Sequence, residues 1–329
     1  MKIAVVILNW NGKKLLEEFL PSVVSHSEEA TVYLADNAST DDSIDYVITR
    51  FPSVEIIRNN SNGGYAKGYN DALKQIEADV FCLLNNDVEV TKNWIYPIIT
   101  CFQENSETAI IQPKILDYKN KTYFEYAGAA GGFLDKYGYP YCRGRIFNTL
   151  EKDELQYEGV SDIFWASGAC LFIRKSIFES LVGFDESYFA HQEEIDLCWR
   201  AKNLGHQIKY VSNSVVYHLG GGTLNALNSK KTYLNFRNSL FNLTKNAKGN
   251  LFSLIIIRLK LDGIAAVKFL LSFKPNHTLA IIRAHFSFYL NLSRLLKERK
   301  ALVQYTDYYH KHSIVWQYFV KKKTTFNSL

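Results

Sequence analysis

The chain has 329 residues, 47% hydrophobic and 22% charged, with a net charge of +5. That size and balance fit a soluble globular protein of one large domain or two, with ample material for a core. The five cysteines (Cys82, Cys101, Cys142, Cys170, Cys198) are odd in number and lack CxxC spacing, which excludes a disulfide frame or a zinc site and predicts reduced core thiols in a cytosolic protein.

The first hundred residues alternate two periodicities. "KIAVVILNW", "ATVYLADN", "SVEIIRN" and "DVFCLLNND" read as strands, and the runs after them, "KKLLEEFLPSVVSH", "DDSIDYVITRF", "GYAKGYNDALKQIE" and "KNWIYPIITCFQEN", as amphipathic helices. This β-α-β-α rhythm predicts a parallel sheet covered by helices. Next, "AIIQPKIL" predicts a strand, and "YFEYAGAAGGFLDKYGYPYCRGR" loops or short strands. "DIFWASGACLFIRKSIFESL" predicts a strand running into a helix, and "EEIDLCWRAKNLG" a helix stopped by Gly205. "QIKYVSNSVVYHLGGGT" predicts strand, turn and strand, and from about residue 229 the pattern is helical to the end.

The opening apolar stretch is too short for a signal-peptide core, and the most apolar later segment, 251 to 273, carries Arg258, Lys260, Asp262 and Lys268, too many charges for a transmembrane helix. Charge is unevenly spread. Lys245 to Leu329 holds 15 Lys or Arg against 3 Asp or Glu, so this stretch is +12 and residues 1 to 244 are −7. Such a basic, aromatic tail predicts an anionic surface as partner, and its apolar content favours a membrane face over nucleic acid. A helical subdomain packed on the core, or an oligomer contact, is the alternative.

Polar residues gather where the early strands end. Open α/β sheets bind ligands outside the carboxyl ends of their strands, so these loops should line one crevice. Asn9 and Asn11 frame a turn at Gly12, and Asp36 tips the second strand in "LADNASTDDS", suited to a nucleoside or to a plain turn. Gly63 and Gly64 precede a helix without forming a known phosphate loop. Asn85, Asn86 and Asp87 end the fourth strand, where one carboxylate with a substrate diphosphate would suit Mg²⁺. Farther on, Glu193, Glu194 and Asp196 crowd a helix start, a place where acids serve the helix dipole or act as a general base. His218 leaves an apolar strand before Gly220, Gly221 and Gly222, and Lys231 and Arg237 follow as candidate phosphate ligands or surface charges.

In this order, "VVILNWNG", "LADNASTDDS", "NNSNGGYAKGYN", "LLNNDVEV", "SGACLFIRKSIFESLVGFDESYF", "EEIDLCWR" and "VYHLGGGT" resemble the inverting family 2 glycosyltransferases, on the side of the rhamnosyltransferases of bacterial polysaccharide assembly. The resemblance implies a GT-A fold: an α/β, Rossmann-like, mixed but mainly parallel sheet with helices on both faces. It spans residues 1 to 240 as a catalytic domain, leaving 241 to 329 as a helical C-terminal extension. It implies Glu194 as catalytic base with Glu193 beside it, in place of the family's usual Glu-Asp pair. It places Asn9, Asn11, Asp36, Asn37, Gly64, Lys67, Asn86, Asp87 and Arg237 on the nucleotide donor. Asp87 and His218 would hold Mg²⁺ or Mn²⁺, with Asn85 standing where the family's first metal-motif acid usually is. Trp165, Gly168 and Asp196 would face the acceptor.

The implied reaction moves a sugar, L-rhamnose by resemblance to this branch, from a dTDP-, UDP- or GDP-linked donor to a saccharide, typically lipid-linked, at the cytoplasmic face of the plasma membrane. A sugar-1-phosphate nucleotidyltransferase would show a Gly-rich stretch with Arg and Lys after the first strand, which "NWNGKKLL" lacks. Asn85 and Glu194 keep open a catalytically inactive, membrane-attached saccharide-binding scaffold.

Overall fold

The computed structural model describes residues 1–220, 229–302 and 307–329. The predicted alternation is present throughout the first half. Strands β1 (Ile3–Asn9), β2 (Ala30–Asp36), β3 (Glu55–Arg58) and β4 (Val80–Asn85) are separated by helices α1 (Lys13–Ser25), α2 (Ser43–Arg50) and α3 (Gly64–Leu73). After β5 (Val88–Val90) come α4 (Tyr96–Glu104) and the ten-residue β6 (Thr108–Asp117). The Gly- and Tyr-rich stretch forms β7 (Gly132–Leu134), β8 (Pro140–Cys142), β9 (Arg145–Ile146) and β10 (Thr149–Leu150). β11 (Val160–Asp162), β12 (Cys170–Arg174), α5 (Lys175–Ser180), α6 (Glu193–Asn203) and β13 (Gln207–His218) complete the α/β part. Three long helices follow, α7 (Ser229–Asn246), α8 (Leu251–Leu271) and α9 (Pro275–Ala301).

Nine strands form the main sheet in the order β11-β13-β6-β12-β4-β1-β2-β3, with β5 on the end of β13. β3, β2, β1 and β4 run parallel, β12 is antiparallel between β4 and β6, and β13 is parallel to β6. Alternation along each strand sorts side chains to two faces, because successive residues point to opposite sides of a sheet. Ala4, Val6, Phe81 and Leu83 meet Ala66, Tyr69 and Leu73 of α3 and Leu197 of α6 on one face. Ile3, Val5, Ile7, Cys82 and Leu84 meet Leu16 and Leu20 of α1, Val47 of α2 and Ile98 of α4 on the other. All five cysteines are free, buried thiols.

Three differences from the sequence reading have physical causes. The expected strand-turn-strand at 207 to 218 is one twelve-residue strand, β13, interrupted by a register shift between Val211 and Val215. Ser212 and Ser214 absorb the bulge, Ser212 Oγ accepting from the Gly159 N–H and Ser214 Oγ donating to the Trp94 carbonyl. The expected boundary after residue 240 falls inside α7, whose residues Asn238 to Asn246 are all buried. Finally, the chain is not helical to the end. Residues 307–329 fold back on the small sheet β10-β9-β8-β7, where Ile314 packs on Tyr141 and Ile146 and the Phe326 ring stacks on His310. Buried Asp135 ties the two together, accepting from the N–H groups of Tyr137, Tyr139 and Ile314 at 2.9 Å each.

The C-terminal segment is therefore part of the core. Ile314→Ala removes a fully buried side chain and should lower stability by about 2–4 kcal/mol in a single urea transition that carries the α/β part with it. A separate, earlier transition would mean that the segment is an appendage.

Candidate active site

Parallel pairing brings Asn9, Asp36 and Asn85 to one edge: Asn9 lies opposite Asp36, and Leu8 opposite Asn85. Asn9 is fully buried and acts as the node of a network. Its Nδ2 donates to Asp36 Oδ1 (3.2 Å), Ser39 Oγ (3.2 Å) and Ser43 Oγ (3.0 Å), and its Oδ1 accepts from Asn86 Nδ2 (3.1 Å). A side chain at Gly12 would collide with both Asn9 and Asn86, 2.4 Å from an added Cβ, so the turn after β1 requires glycine there. Asp36 also accepts from the Ser39 N–H, which leaves lone pairs on each oxygen for one further donor. Exposed Asn11, in the left-handed region at φ 50°, accepts from the Thr40 N–H at 2.7 Å. Trp10, which the sequence reading passed over, is 49% exposed beside these buried polar groups. A large aromatic ring between Asn9 and Asn11 at a strand end was the available signal.

The second group surrounds Asp87. Its Oδ1 lies 3.1 Å from His218 Nε2, and Asn85 Nδ2 lies 3.4 Å from the same nitrogen. Behind the imidazole, Glu125 Oε1 is 3.3 Å from His218 Nδ1, close enough to pair but without an aligned hydrogen bond. Burial opposes charge on His218, yet Glu125 and then Asp87 outweigh it and push the imidazole up to about 10. Burial likewise opposes ionisation of Asp87, and the facing imidazolium overrides it and holds the carboxyl below its ordinary range. Two buried carboxylates thus converge on a spot that demands positive charge. Glu125 lies in the Gly- and Tyr-rich stretch, where no local pattern marked it; only the fold sets it behind His218. Of the glycines after His218, Gly221 and Gly222 lie outside the described residues. A divalent cation fits this pair. One carboxylate oxygen and one imidazole nitrogen leave room for substrate and water oxygens, with a carboxylate behind the histidine as in many metal sites. Among the described residues no third His, Cys, Asp or Glu joins them.

The third group is the start of α6. Phe189, His191 and Gln192 all have positive φ (64°, 68° and 73°), so the chain enters the helix through a strained turn. One face of α7 holds this turn in place. Asn238 Nδ2 donates to the carbonyls of Tyr188, Ala190 and His191, and Asn242 Nδ2 to that of Gln192. Arg237 Nη2 donates to the Ser187 and Tyr188 carbonyls. Gly64 at the start of α3 approaches from the other side, with φ 80° and no room for a side chain against the Phe189 carbonyl. Burial lifts the half-exposed Glu194 carboxyl to about 7. Burial, and then Glu194, raise the Glu193 carboxyl further, and its Oε2 is buried without a hydrogen-bond partner. Near the pair, Tyr65 donates from its hydroxyl to the Gly168 carbonyl at 2.8 Å. Burial also pulls Lys231 down, opposed by Glu125, while burial and then Lys231 push His191 down to about 4. Lys231 is therefore within electrostatic reach of both Glu125 and His191.

Several expected site residues have other work. Asp196 is wholly buried and does not face an acceptor. It takes Arg200 Nε at 2.7 Å, Lys245 Nζ at 3.1 Å and Asn246 Nδ2 at 2.9 Å, and despite burial these hold it far below the carboxylate range. Trp165, 2% exposed, lies in the core against Gly132 with its Nε1 on the Phe133 carbonyl. Asn37 is likewise buried, accepting from Asn59 and donating to the Gly64 carbonyl, and Arg237 braces the turn before α6. Lys67 pairs with Asp71 at 2.7 Å and Glu186 at 3.8 Å.

A mixed, mainly parallel sheet with polar groups gathered at its strand ends, a buried Asp-His pair and an acid-led helix have the architecture of a GT-A glycosyltransferase. Residues 4–182 match the family model described as "Glycosyl transferase family 2", and the chain belongs to that family. Over 231 residues it is 26% identical to the N-acetylglucosaminyl-diphospho-decaprenol L-rhamnosyltransferase of Mycobacterium tuberculosis, covering 66% of this chain and 75% of that one. The fold is shared with S. aureus TarS 1-349 in complex with UDP-GlcNAc (TM-score 0.58, 17% identity, 92% of this chain and 84% of that one). It is also shared with the mannosyltransferase PcManGT of Pyrobaculum calidifontis in complex with GDP-Man and Mn²⁺ (TM-score 0.55, 11% identity, 88% and 87%).

The acids of α6 should separate by stability. Asp196→Asn leaves buried Arg200 without its charged partner and Lys245 with Asp185 and Glu298 alone, and should cost about 3–5 kcal/mol in urea denaturation at pH 7, whereas Glu194→Gln should cost nothing there. Equal losses would overturn the assignment of Asp196 to structure.

Proposed function

We propose that this glycosyltransferase moves L-rhamnose from dTDP-rhamnose to a hydroxyl of a lipid-linked saccharide, with inversion, at the cytoplasmic face of the plasma membrane. Its relatives' activities support the sugar and the acceptor class. UDP- and GDP-linked donors are the competing choices, since its structural neighbours hold those nucleotides. The observation that carries the reading is the half-exposed Glu194 carboxyl, lifted to about 7 at a helix start. A base poised near the working pH both holds its charge and takes a proton readily.

In the reaction, Glu194 takes the proton of the acceptor hydroxyl as that oxygen attacks the anomeric carbon. The bond to the nucleoside diphosphate breaks with its electron pair, and the configuration inverts in one displacement. Glu193 stays protonated beside it, because a buried carboxyl next to a second carboxylate is held in its neutral form. Trp10 offers its exposed ring to the base, while Asp36, Asn11 and Asn86 supply polar contacts to the nucleoside. Lys231 lies where its charge can meet the diphosphate, and Gly168 borders the acceptor side. When bound, Mg²⁺ or Mn²⁺ on Asp87 and His218 supplies Lewis-acid neutralisation of the departing diphosphate. An inactive scaffold has no use for a carboxyl raised to about 7 at this helix start, which disfavours that alternative.

Nucleoside diphosphate release from dTDP-, UDP- and GDP-sugars, with Mg²⁺, Mn²⁺ or EDTA, tests the donor. Release from one donor, lost with EDTA and in Asp87→Ala, is expected; calorimetry showing no nucleotide binding at all would sink the proposal. Glu194→Gln should lower transfer at least about 100-fold and leave nucleotide affinity unchanged. The pH profile follows by sign. Glu194 must be ionised to act, so kcat/KM should rise to a plateau with an inflexion near 7. Folding raises this carboxyl from 4.5 to about 7, so the folded state binds the proton more tightly. Wild-type stability should therefore fall between those pH values relative to Glu194→Gln; a profile flat from pH 5 to 9 would exclude Glu194 as the base.

A further inference from the structure

The hairpin of α8 and α9 carries two apolar stripes that face solvent. On α8, Leu254, Arg258 and Asp262 point inward, and the opposite face exposes Ile257, Lys260, Ile264, Val267, Lys268 and Leu271. On α9, Ala280, Ile281, Ala284, Phe288 and Leu295 point inward, and Leu279, Ile282, Arg283, Phe286, Leu290 and Lys297 point outward. The tip between the helices is the most exposed part, with Leu271 at 75% and Phe273 at 94%, flanked by Lys268 and Lys274. Lys268 Nζ lies 4.4 Å from the Phe319 ring centroid, which joins α8 to exposed Trp316, Val320, Lys321 and Lys322.

Large contiguous apolar surface is rare on a monomer and marks an interaction site. Charge decides the partner. Of the three acids between Lys245 and Leu329, Asp262 is buried against Arg258 and neither Glu298 nor Asp307 belongs to either stripe. The surface is thus apolar and cationic without exposed counter-charge. A second copy of the chain would oppose cations to cations, whereas an anionic bilayer accepts both features: Lys and Arg meet headgroups while Leu, Ile and Phe enter the acyl boundary. Among the described residues no helix is long and apolar enough to cross a membrane, so contact of this kind lies on the surface.

We propose that the outward faces and tip of the α8–α9 hairpin, with residues 316–322, dock the enzyme on an anionic lipid surface, Phe273 and Leu271 entering the interface and Lys260, Lys268 and Arg283 holding the headgroups. This rests on and extends the lipid-linked-acceptor reading, since docking holds the enzyme on the surface to which such a substrate is confined. None of these residues belongs to the groups around Asn9, Asp87 or the start of α6, so docking and chemistry are separable.

The test is sedimentation of the full chain with vesicles of phosphatidylcholine alone or with 30 mol% phosphatidylglycerol as probe. Binding is expected only with phosphatidylglycerol, reduced in high salt. The triple variant Lys260→Gln, Lys268→Gln, Arg283→Gln should weaken it about 100-fold, at roughly fivefold per cation. Phe273→Ser with Leu271→Ser should also weaken it, while Lys92→Gln, on the exposed surface of the α/β part, should not. Donor hydrolysis without vesicles should be unchanged in all of them, so lost docking with intact hydrolysis reports on this surface alone. No binding to either vesicle, equal binding to both, or a concentration-dependent dimer abolished by the triple variant would overturn the proposal. The last outcome would assign the face to a second copy.

Discussion

A buried carboxylate between two buried cations holds the site together. Asp196 lies one turn into α6 and cannot be solvated, so its charge is tolerable only with Arg200 and Lys245 at bonding distance. Arg200 sits on the same helix and also donates to the carbonyls of Leu181 and Gly183, fixing the loop before the site. Lys245 belongs to α7 and reaches Asp185 as well. The ion cluster therefore joins α6, α7 and the loop 181–185 into one body, and Glu194, two residues before Asp196, inherits its position from that body.

Around this anchor the protein keeps two charge regimes apart. Near Asp87, carboxylates predominate and His218 takes on positive charge between them. At the start of α6, burial without a paired cation has the opposite effect and lifts Glu193 and Glu194. The carboxyl group is thus strongly acidic at Asp87 and Asp196 and weakly acidic at Glu194. The difference is set by whether a cation or only apolar and neutral surface faces the carboxyl. One regime suits a cation with a diphosphate, and the other suits a proton acceptor.

The region after residue 240 takes part in both. Asn238, Asn242 and Asn246 recur at four-residue spacing and so share one face of α7, where their amides bind the turn 188–192 and Asp196. The strain of three left-handed residues before α6 is held by those bonds. α9 packs in turn on α7, and the last twenty residues close the small sheet. What reads in sequence as an extension is the outer layer of the catalytic body, and only its outward faces remain free.

The sequence by itself determined the alternating elements, the burial of β1 and β4 and the strand-end location of Asn9, Asp36 and Asp87. Each follows from periodicities of two and 3.6 residues and from parallel pairing, which are local. It also marked the acids of α6, because three carboxylates within four residues stand out in any context. It could not rank them. Asp196 and Glu194 lie two residues apart; Arg200, one turn on, pairs with Asp196 locally, but the burial of both acids and the bonds from Lys245 and Asn246 come from about fifty positions away. Glu125 behind His218, the buried Trp165 and the return of residues 307–329 onto β7–β10 were equally hidden. Each rests on contacts between segments far apart in the chain, and those contacts exist only once the sheet and its helices have closed around them.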